Sequence, residues 1–212
     1  MLLVATVVGS GIMAEGLTRD IGLALLGNTL ATGAMLVVLI HLFGPVSGAH
    51  FNPVVTLVFA LKGELAMRDA VLYIVVQIIG GIVGAWLAHA MFDLPLLQMS
   101  LKARTGSGQW LSEGIATFGL LATILAGRRL ATSALPMLIG LYIAAAYWFT
   151  ASTSFANPAV TVARAFSNSF SGIRLQDVAA FIAAQACGAL LALALFGWLL
   201  RDVATPKMDA TT

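Results

Sequence analysis

Charge is what this sequence lacks most. Of its 212 residues only 9% are Asp, Glu, Lys or Arg, against about 25% in a soluble domain. A chain so poor in polar surface excludes an ordinary cytosolic enzyme, a nucleic-acid binder and a disordered module. The charges present nearly cancel, 11 Lys and Arg against 9 Asp and Glu, which leaves no field for a polyanionic partner. Cysteine is nearly absent too. Cys187 is the single one, so no internal disulfide can form, and its apolar run makes it read as a small buried hydrophobe. Catalytic signatures are missing as well: there is no His-Glu-x-x-His, no Gly-x-Ser-x-Gly and no pair of membrane aspartates, so nothing suggests an enzyme.

What is abundant is hydrophobic side chain, 60% of the residues, with a mean hydropathy of +0.98. Spread over helices of about 20 residues, the length allows about six membrane spans. Apolar runs bounded by charge or turn signals lie at Leu2–Ala14, Ile21–Phe43, Asp69–Met91, Trp110–Gly127, Ala134–Ala151 and Asp177–Leu200. Two shorter pieces, Asn52–Leu61 and Asn157–Phe166, cannot cross and read as re-entrant elements. The first run is short and has no basic segment before it, which fits a shortened first helix rather than a signal peptide. Lys62, Arg68, Arg128, Arg129, Arg201 and Lys207 fall on one side of this layout. Arg19, Lys102, Arg104 and Arg174 fall on the other. The bias places both termini and the 128–134 loop in the cytoplasm.

The two halves, 1–100 and 101–212 with its short C-terminal tail, resemble each other. Ser47-Gly48-Ala49-His50-Phe51-Asn52-Pro53-Val54-Val55-Thr56 has a counterpart in Ser152-Thr153-Ser154-Phe155-Ala156-Asn157-Pro158-Ala159-Val160-Thr161. The first spans match as well, Leu2-Leu3-Val4-Ala5-Thr6 against Gly119-Leu120-Leu121-Ala122-Thr123. Each half holds an odd number of spans, so the halves must lie inverted in the membrane, as in proteins whose broken helices meet at the midplane. Asn is a favoured helix cap, and Pro suits the first helical position because its missing N–H would have had no partner there. Each Asn-Pro box therefore starts a helix inside the bilayer. The irregular residues before it are tolerable only against protein or a wet cavity. Facing helix N-termini repel cations, while the two Asn amides offer donors to a neutral oxygen-bearing solute.

These paired boxes make the chain resemble the major intrinsic proteins, the aquaporins and aquaglyceroporins, from Leu2 to Leu200. The resemblance implies an all-α membrane protein. Its fold would be a right-handed bundle of six transmembrane helices plus two re-entrant half-helices in an inverted repeat, with the first helix shortened at its N-terminus. It also implies a homotetramer in the lipid bilayer with one pore per subunit, and passive conduction without a cofactor.

Residue by residue, Asn52, Pro53 and Val54 take the first pore box, with Val54 where alanine is usual, and Asn157, Pro158 and Ala159 take the second. His50 matches a family histidine that lines the cytoplasmic half of the pore. At the outer constriction the resemblance assigns Thr32 to a site that is usually aromatic, Tyr147 to the fifth-span site, and Ser154 to the position three before Asn157. The fourth site, normally arginine, is Val160. Arg164 lies one turn further along the same face, either as a partial substitute in the outer vestibule or as a loop anchor. Glu113 resembles the family glutamate that holds a re-entrant loop. Its repeat partner would lie before Met1, so a late start of the chain is expected. Gly80-Gly81-Ile82-Val83-Gly84 permits close helix contact. Glu15 reads as a helix-end cap, and His41 and His89 read as structural or interfacial.

A filter without arginine is expected to be wider and less polar. The chain thus resembles the bacterial members associated with arsenic resistance. Water, glycerol-type polyols and undissociated metalloid acids such as arsenite are the expected solutes, with no nucleic-acid partner, in a multi-pass protein of the bacterial inner membrane. A water-selective aquaporin is the alternative. An ion-coupled transporter is disfavoured because only Glu113 is ionisable at membrane depth.

Overall fold

The computed structural model describes residues 1–201; Lys207 and the rest of the C-terminal tail lie outside the described residues. Those residues form helices α1 (Leu2–Leu17), α2 (Ile21–Ser47), α3 (Pro53–Leu61) and α4 (Met67–Met91) in the first half. The second half has α5 (Ser107–Leu130), α6 (Leu135–Phe149), α7 (Pro158–Arg164) and α8 (Leu175–Leu199), with a 3-10 turn at Thr132–Ala134 leading into α6. Helices α2, α4, α5 and α8, and α6 with the turn before it, are long and apolar enough to cross a membrane. Helix α1 is apolar but has only 16 residues, about 24 Å against a hydrocarbon core of about 30 Å. Among the described residues there are therefore five full spans, one short one and two half-helices, as the apolar runs anticipated.

Boundaries move by a few residues for local reasons. Helix α2 continues through Pro45 to Ser47; the Gly48 N–H closes the last turn on the Gly44 carbonyl, and the left-handed backbone of Gly48 (φ 74°) then turns the chain out of the helix. Helix α1 runs past Ala14 to Leu17, so Glu15 sits inside the helix rather than capping it. Its carboxylate accepts the Phe170 N–H at 2.8 Å instead.

Packing repeats between the halves. Helix α1 lies against α2 and α4, and α5 lies against α6 and α8. The halves join along α2 and α6, while α3 crosses over to touch α8 and α7 crosses to touch α4. The α2–α6 seam is backbone against backbone. A Cβ on Gly140 would stand 2.7 Å from the Gly33 carbonyl oxygen, and one on Gly33 would stand 3.1 Å from the Gly140 carbonyl oxygen. Small residues do the same between α8 and α5, where a Cβ on Gly188 would run into the Gly114 carbonyl. Outward faces carry large apolar side chains such as Leu30, Val76, Leu141 and Leu191, as lipid requires. Cys187 joins them: it is exposed on α8, not buried, because Gln185, Gly188 and Ala192 take the inward face of that helix.

Candidate functional site

Both Asn-Pro boxes start helices as their chemistry demands. Asn52 Oδ1 accepts the Val54 N–H at 3.1 Å, and Asn157 Oδ1 accepts those of Ala159 at 3.0 Å and Val160 at 3.3 Å. Pro53 and Pro158 occupy the first helical positions. The approach to each box is left-handed at matching residues, Ala49 and Phe51 (both φ 48°) and Ser154 and Ala156 (φ 48° and 47°). Such conformations cost about 1–2 kcal/mol each for side chains with a Cβ, so they persist only where the surroundings demand them. Here the demand is mutual. Asn52 Nδ2 donates to the Ala156 carbonyl at 2.7 Å, and Asn157 Nδ2 donates to the Phe51 carbonyl at 2.8 Å. Each amide spends one N–H on the opposite box, and since an NH₂ group carries two, a second N–H is left over.

Glu113 lies at the centre of the scaffold behind the second box. Its carboxylate, fully buried, accepts the N–H groups of Phe155 at 2.8 Å and Ala156 at 2.9 Å, and the Gln185 side-chain amide at 2.6 Å. Gln185 also donates to Thr161 Oγ1 at 2.8 Å, and in the other half Gln77 donates to Thr56 Oγ1 at 2.9 Å. Neither glutamine was singled out from the sequence. The signal was present: each follows an aromatic-Ile-x-x pattern in an otherwise apolar span, Tyr73-Ile74-Val75-Val76-Gln77 and Phe181-Ile182-Ala183-Ala184-Gln185. His50 packs against the first half-helix. Its Nδ1 lies 3.2 Å from Thr56 Oγ1, and its ring stacks on Phe59 at 4.8 Å.

A continuous cavity of about 700 Å³ runs between the two halves. Asn52, Asn157, His50, Thr32, Tyr147, Ser154 and Val160 all line it. Pro53, Val54, Pro158 and Ala159 are buried in the packing of the half-helices, and Glu113 stands behind the wall. The Tyr147 hydroxyl approaches Thr32 Oγ1 at 3.5 Å, which brings the second and sixth helices together at one level of the cavity. At one mouth Glu64 pairs with Lys62 and Arg128, both at 2.6 Å, with His41 nearby on the lining. Towards the other end stands Arg164, both a loop anchor and a lining residue: its Nε donates to the Ser171 carbonyl while its side chain borders the cavity. Arg104 is buried close by, and its N–H groups are bonded to the Gly172, Ser152 and Phe170 carbonyls. His89 proves structural, with one ring nitrogen 3.0 Å from the Leu96 carbonyl and the other 3.0 Å from Ser167 Oγ. Among the described residues no cluster of His, Cys, Asp and Glu could hold a metal ion.

The model of one family, "Major intrinsic protein", matches residues 1–156. The chain belongs to the major intrinsic protein family. Its similarity to the aquaglyceroporin AqpS of Rhizobium meliloti (strain 1021) reaches 64% identity over 200 residues, 94% of this chain and 86% of that protein. Aquaporin-1 of Bos taurus is 31% identical over 190 residues, 85% of this chain and 69% of its own length. Among solved structures, the aquaglyceroporin from Plasmodium falciparum superposes with a TM-score of 0.66 at 19% identity, covering 92% of this chain and 90% of that one, a likeness of fold alone. This major intrinsic protein is thus a multi-pass membrane channel of the aquaporin fold. The family match stops one residue short of Asn157. Beyond that point the second box is tied to the first by the hydrogen bond from Asn157 to Phe51.

Proposed function

We propose that this channel passively conducts small uncharged solutes: water, glycerol-type polyols and undissociated metalloid acids such as arsenite. The observation that carries the reading is Val160, an apolar side chain on the cavity wall at the position where the family resemblance expects arginine. With Thr32, Tyr147 and Ser154 around it, this level of the pore offers hydroxyl groups and methyl groups but no side-chain cation. Such a lining suits a solute that is bulkier and less polar than water. The name of the 64% identical relative, an aquaglyceroporin, points the same way.

The two half-helix N-termini and the leftover amide N–H groups of Asn52 and Asn157 supply donors and positive dipole ends at the pore centre, which disfavours cations. Glu113 is saturated by its three donors, so it offers no proton relay and weakens the ion-coupled reading. In the proposed setting the chain is a homotetramer in the bacterial inner membrane, one pore per subunit, with the Glu64–Arg128 mouth in the cytoplasm.

Light-scattering of proteoliposomes tests this. The protein should accelerate vesicle response to a glycerol gradient and load arsenite, beyond empty vesicles. Val160→Arg should cut glycerol flux about tenfold, or roughly 1.4 kcal/mol at the constriction, with a much smaller effect on water. Glycerol and arsenite fluxes equal to those of empty vesicles would overturn the proposal in favour of a water-selective pore.

A further inference from the structure

The connection between the two halves, residues 92–106, carries an apolar surface outside any helix. From Leu94 to Leu101 it has no charged residue, and Leu96, Leu97, Met99 and Leu101 stand 50%, 78%, 47% and 77% exposed. Large apolar side chains clustered on an exposed segment mark a contact with something else. The polar atoms of the same segment are turned the other way. The Leu94 N–H donates to the His89 carbonyl at 2.9 Å, and the Leu96 carbonyl lies 3.0 Å from His89 Nδ1. The Ser100 N–H donates to the Ala165 carbonyl at 2.9 Å, and the Leu101 N–H to Asn168 Oδ1 at 3.2 Å. Gln98 adds two more bonds: its Nε2 donates to the Pro95 carbonyl at 2.8 Å, and its Oε1 accepts the Asn168 N–H at 3.2 Å. Pro95 has no N–H to place. Irregular backbone is tolerated beside lipid only where protein satisfies it, and at these positions it is satisfied.

The surroundings of the loop point to lipid as its cover. Its apolar surface continues that of α4, where Val76, Ile79, Val83, Leu87 and Met91 are exposed one after another up to the loop. Those side chains are large, whereas contacts between membrane helices favour small residues. The level fits as well. Helix α4 starts beside Glu64 and α5 returns to it with Arg128, so the loop lies at the end opposite that mouth. At the same end Trp110, one turn into α5, and Trp148, at the close of α6, are both exposed. Exposed tryptophans collect at the headgroup level of a bilayer. Asp93 and Lys102 then bracket the uncharged stretch on either side.

We propose that residues 94–101 form a membrane-seated anchor, with Leu96, Leu97, Met99 and Leu101 sunk just beneath the phospholipid headgroups of the leaflet opposite the Glu64–Arg128 mouth. The partner is the bilayer itself, not a second copy of the chain and not a soluble protein. The anchor fixes the long connection between the halves at the level of the tryptophans. It depends on the chain spanning the membrane and not on which solute the pore passes.

The test uses the full chain in liposomes of phosphatidylcholine and phosphatidylglycerol. Leu97→Cys and Leu101→Cys, each combined with Cys187→Ser, carry an environment-sensitive fluorophore, and Ser133→Cys in the same background marks the opposite mouth. Labels at positions 97 and 101 should be quenched at least twofold more by phospholipid spin-labelled near the headgroup than by aqueous iodide. The label at position 133 should show the reverse order. Stronger quenching by iodide at both loop positions would put the loop in water and overturn the proposal. Weak quenching by both reagents, with a bismaleimide joining two chains through position 97 or 101, would assign the face to a second copy and overturn it equally. The unsubstituted protein decides if a labelled variant does not fold. A phospholipid bearing a photoactivatable carbene source near its headgroup should attach within residues 94–101; adducts on α4 with none on the loop would reject the anchor.

Discussion

The side-chain amide of Asn52 lies 2.7 Å from the carbonyl oxygen of Ala156, a residue 104 positions away that delivers Asn157 to the pore. The reciprocal bond from Asn157 to Phe51 makes the two boxes a single unit. Replacing either asparagine by alanine removes a cap, about 1 kcal/mol, and orphans a buried carbonyl, about 1–3 kcal/mol. Each single variant should therefore lose about 2–4 kcal/mol of stability. The double variant should lose less than the sum, by about 0.5–3 kcal/mol. Denaturant unfolding of the four proteins in one detergent measures this, and strict additivity would contradict the coupling.

Glu113 should be the least replaceable acid in the chain. Glu113→Ala leaves the Phe155 and Ala156 N–H groups and the Gln185 amide without their acceptor in a fully buried site. At about 1–3 kcal/mol for each unmade bond, several kcal/mol are lost, enough to abolish folded protein. Glu113→Gln retains one acceptor oxygen and turns an NH₂ towards the other donors, so it should fall between. Yield of monodisperse protein and melting temperature rank the three; a Glu113→Ala protein that melts with the wild type would show the second box to be held otherwise.

Gly140 is needed because the Gly33 carbonyl leaves no room. Gly140→Ala would set a methyl group 2.7 Å from that oxygen and 2.5 Å from Val37 Cγ2, an overpacking that costs about 1–3 kcal/mol. Thr32 and Tyr147 lie on the same two helices, so prising α2 from α6 should also widen their 3.5 Å approach. Gly140→Ala should melt lower and change the glycerol-to-water ratio, whereas Gly27→Ala, which meets open space, should do neither.

The ion cluster at the other mouth gives a pH dependence. Burial raises the Glu64 carboxyl, but hydrogen bonds and charge from Lys62 and Arg128 outweigh it and hold the group below the usual carboxylate range. A depressed folded value means that its contribution is complete above the unfolded value of about 4.3 and fades as pH falls through the folded one. Solvent screens so exposed a pair, so the effect is small. Melting temperature followed from pH 6 to pH 3 should fall less steeply for Glu64→Gln than for the wild type. Equal slopes would show that the cluster does not couple to folding.

Much of the architecture was legible because lipid imposes simple rules. Apolar length marked the spans, and two Asn-Pro pairs marked the half-helices, since a helix that starts inside the membrane needs a cap and a first residue without a spare N–H. The misreadings have a common cause. Glu15 and Cys187 were judged by their neighbours in sequence, yet their surroundings come from distant segments: Phe170 for the carboxylate, and for the thiol the inward turn of Gln185 and Gly188. Gln77 and Gln185 went unnoticed because a lone amide in an apolar span carries no motif until the threonine it bonds is brought beside it.

By itself, the sequence determined the membrane class and the paired half-helices, because composition, spacing and residue identity are local properties of a chain. Only the tertiary structure decided which side chains line the cavity. Whether Arg164 is an anchor or a lining group depends on where its long side chain finds Phe155 and the Ser171 carbonyl. That is a matter of packing between segments, and no spacing along the chain encodes it.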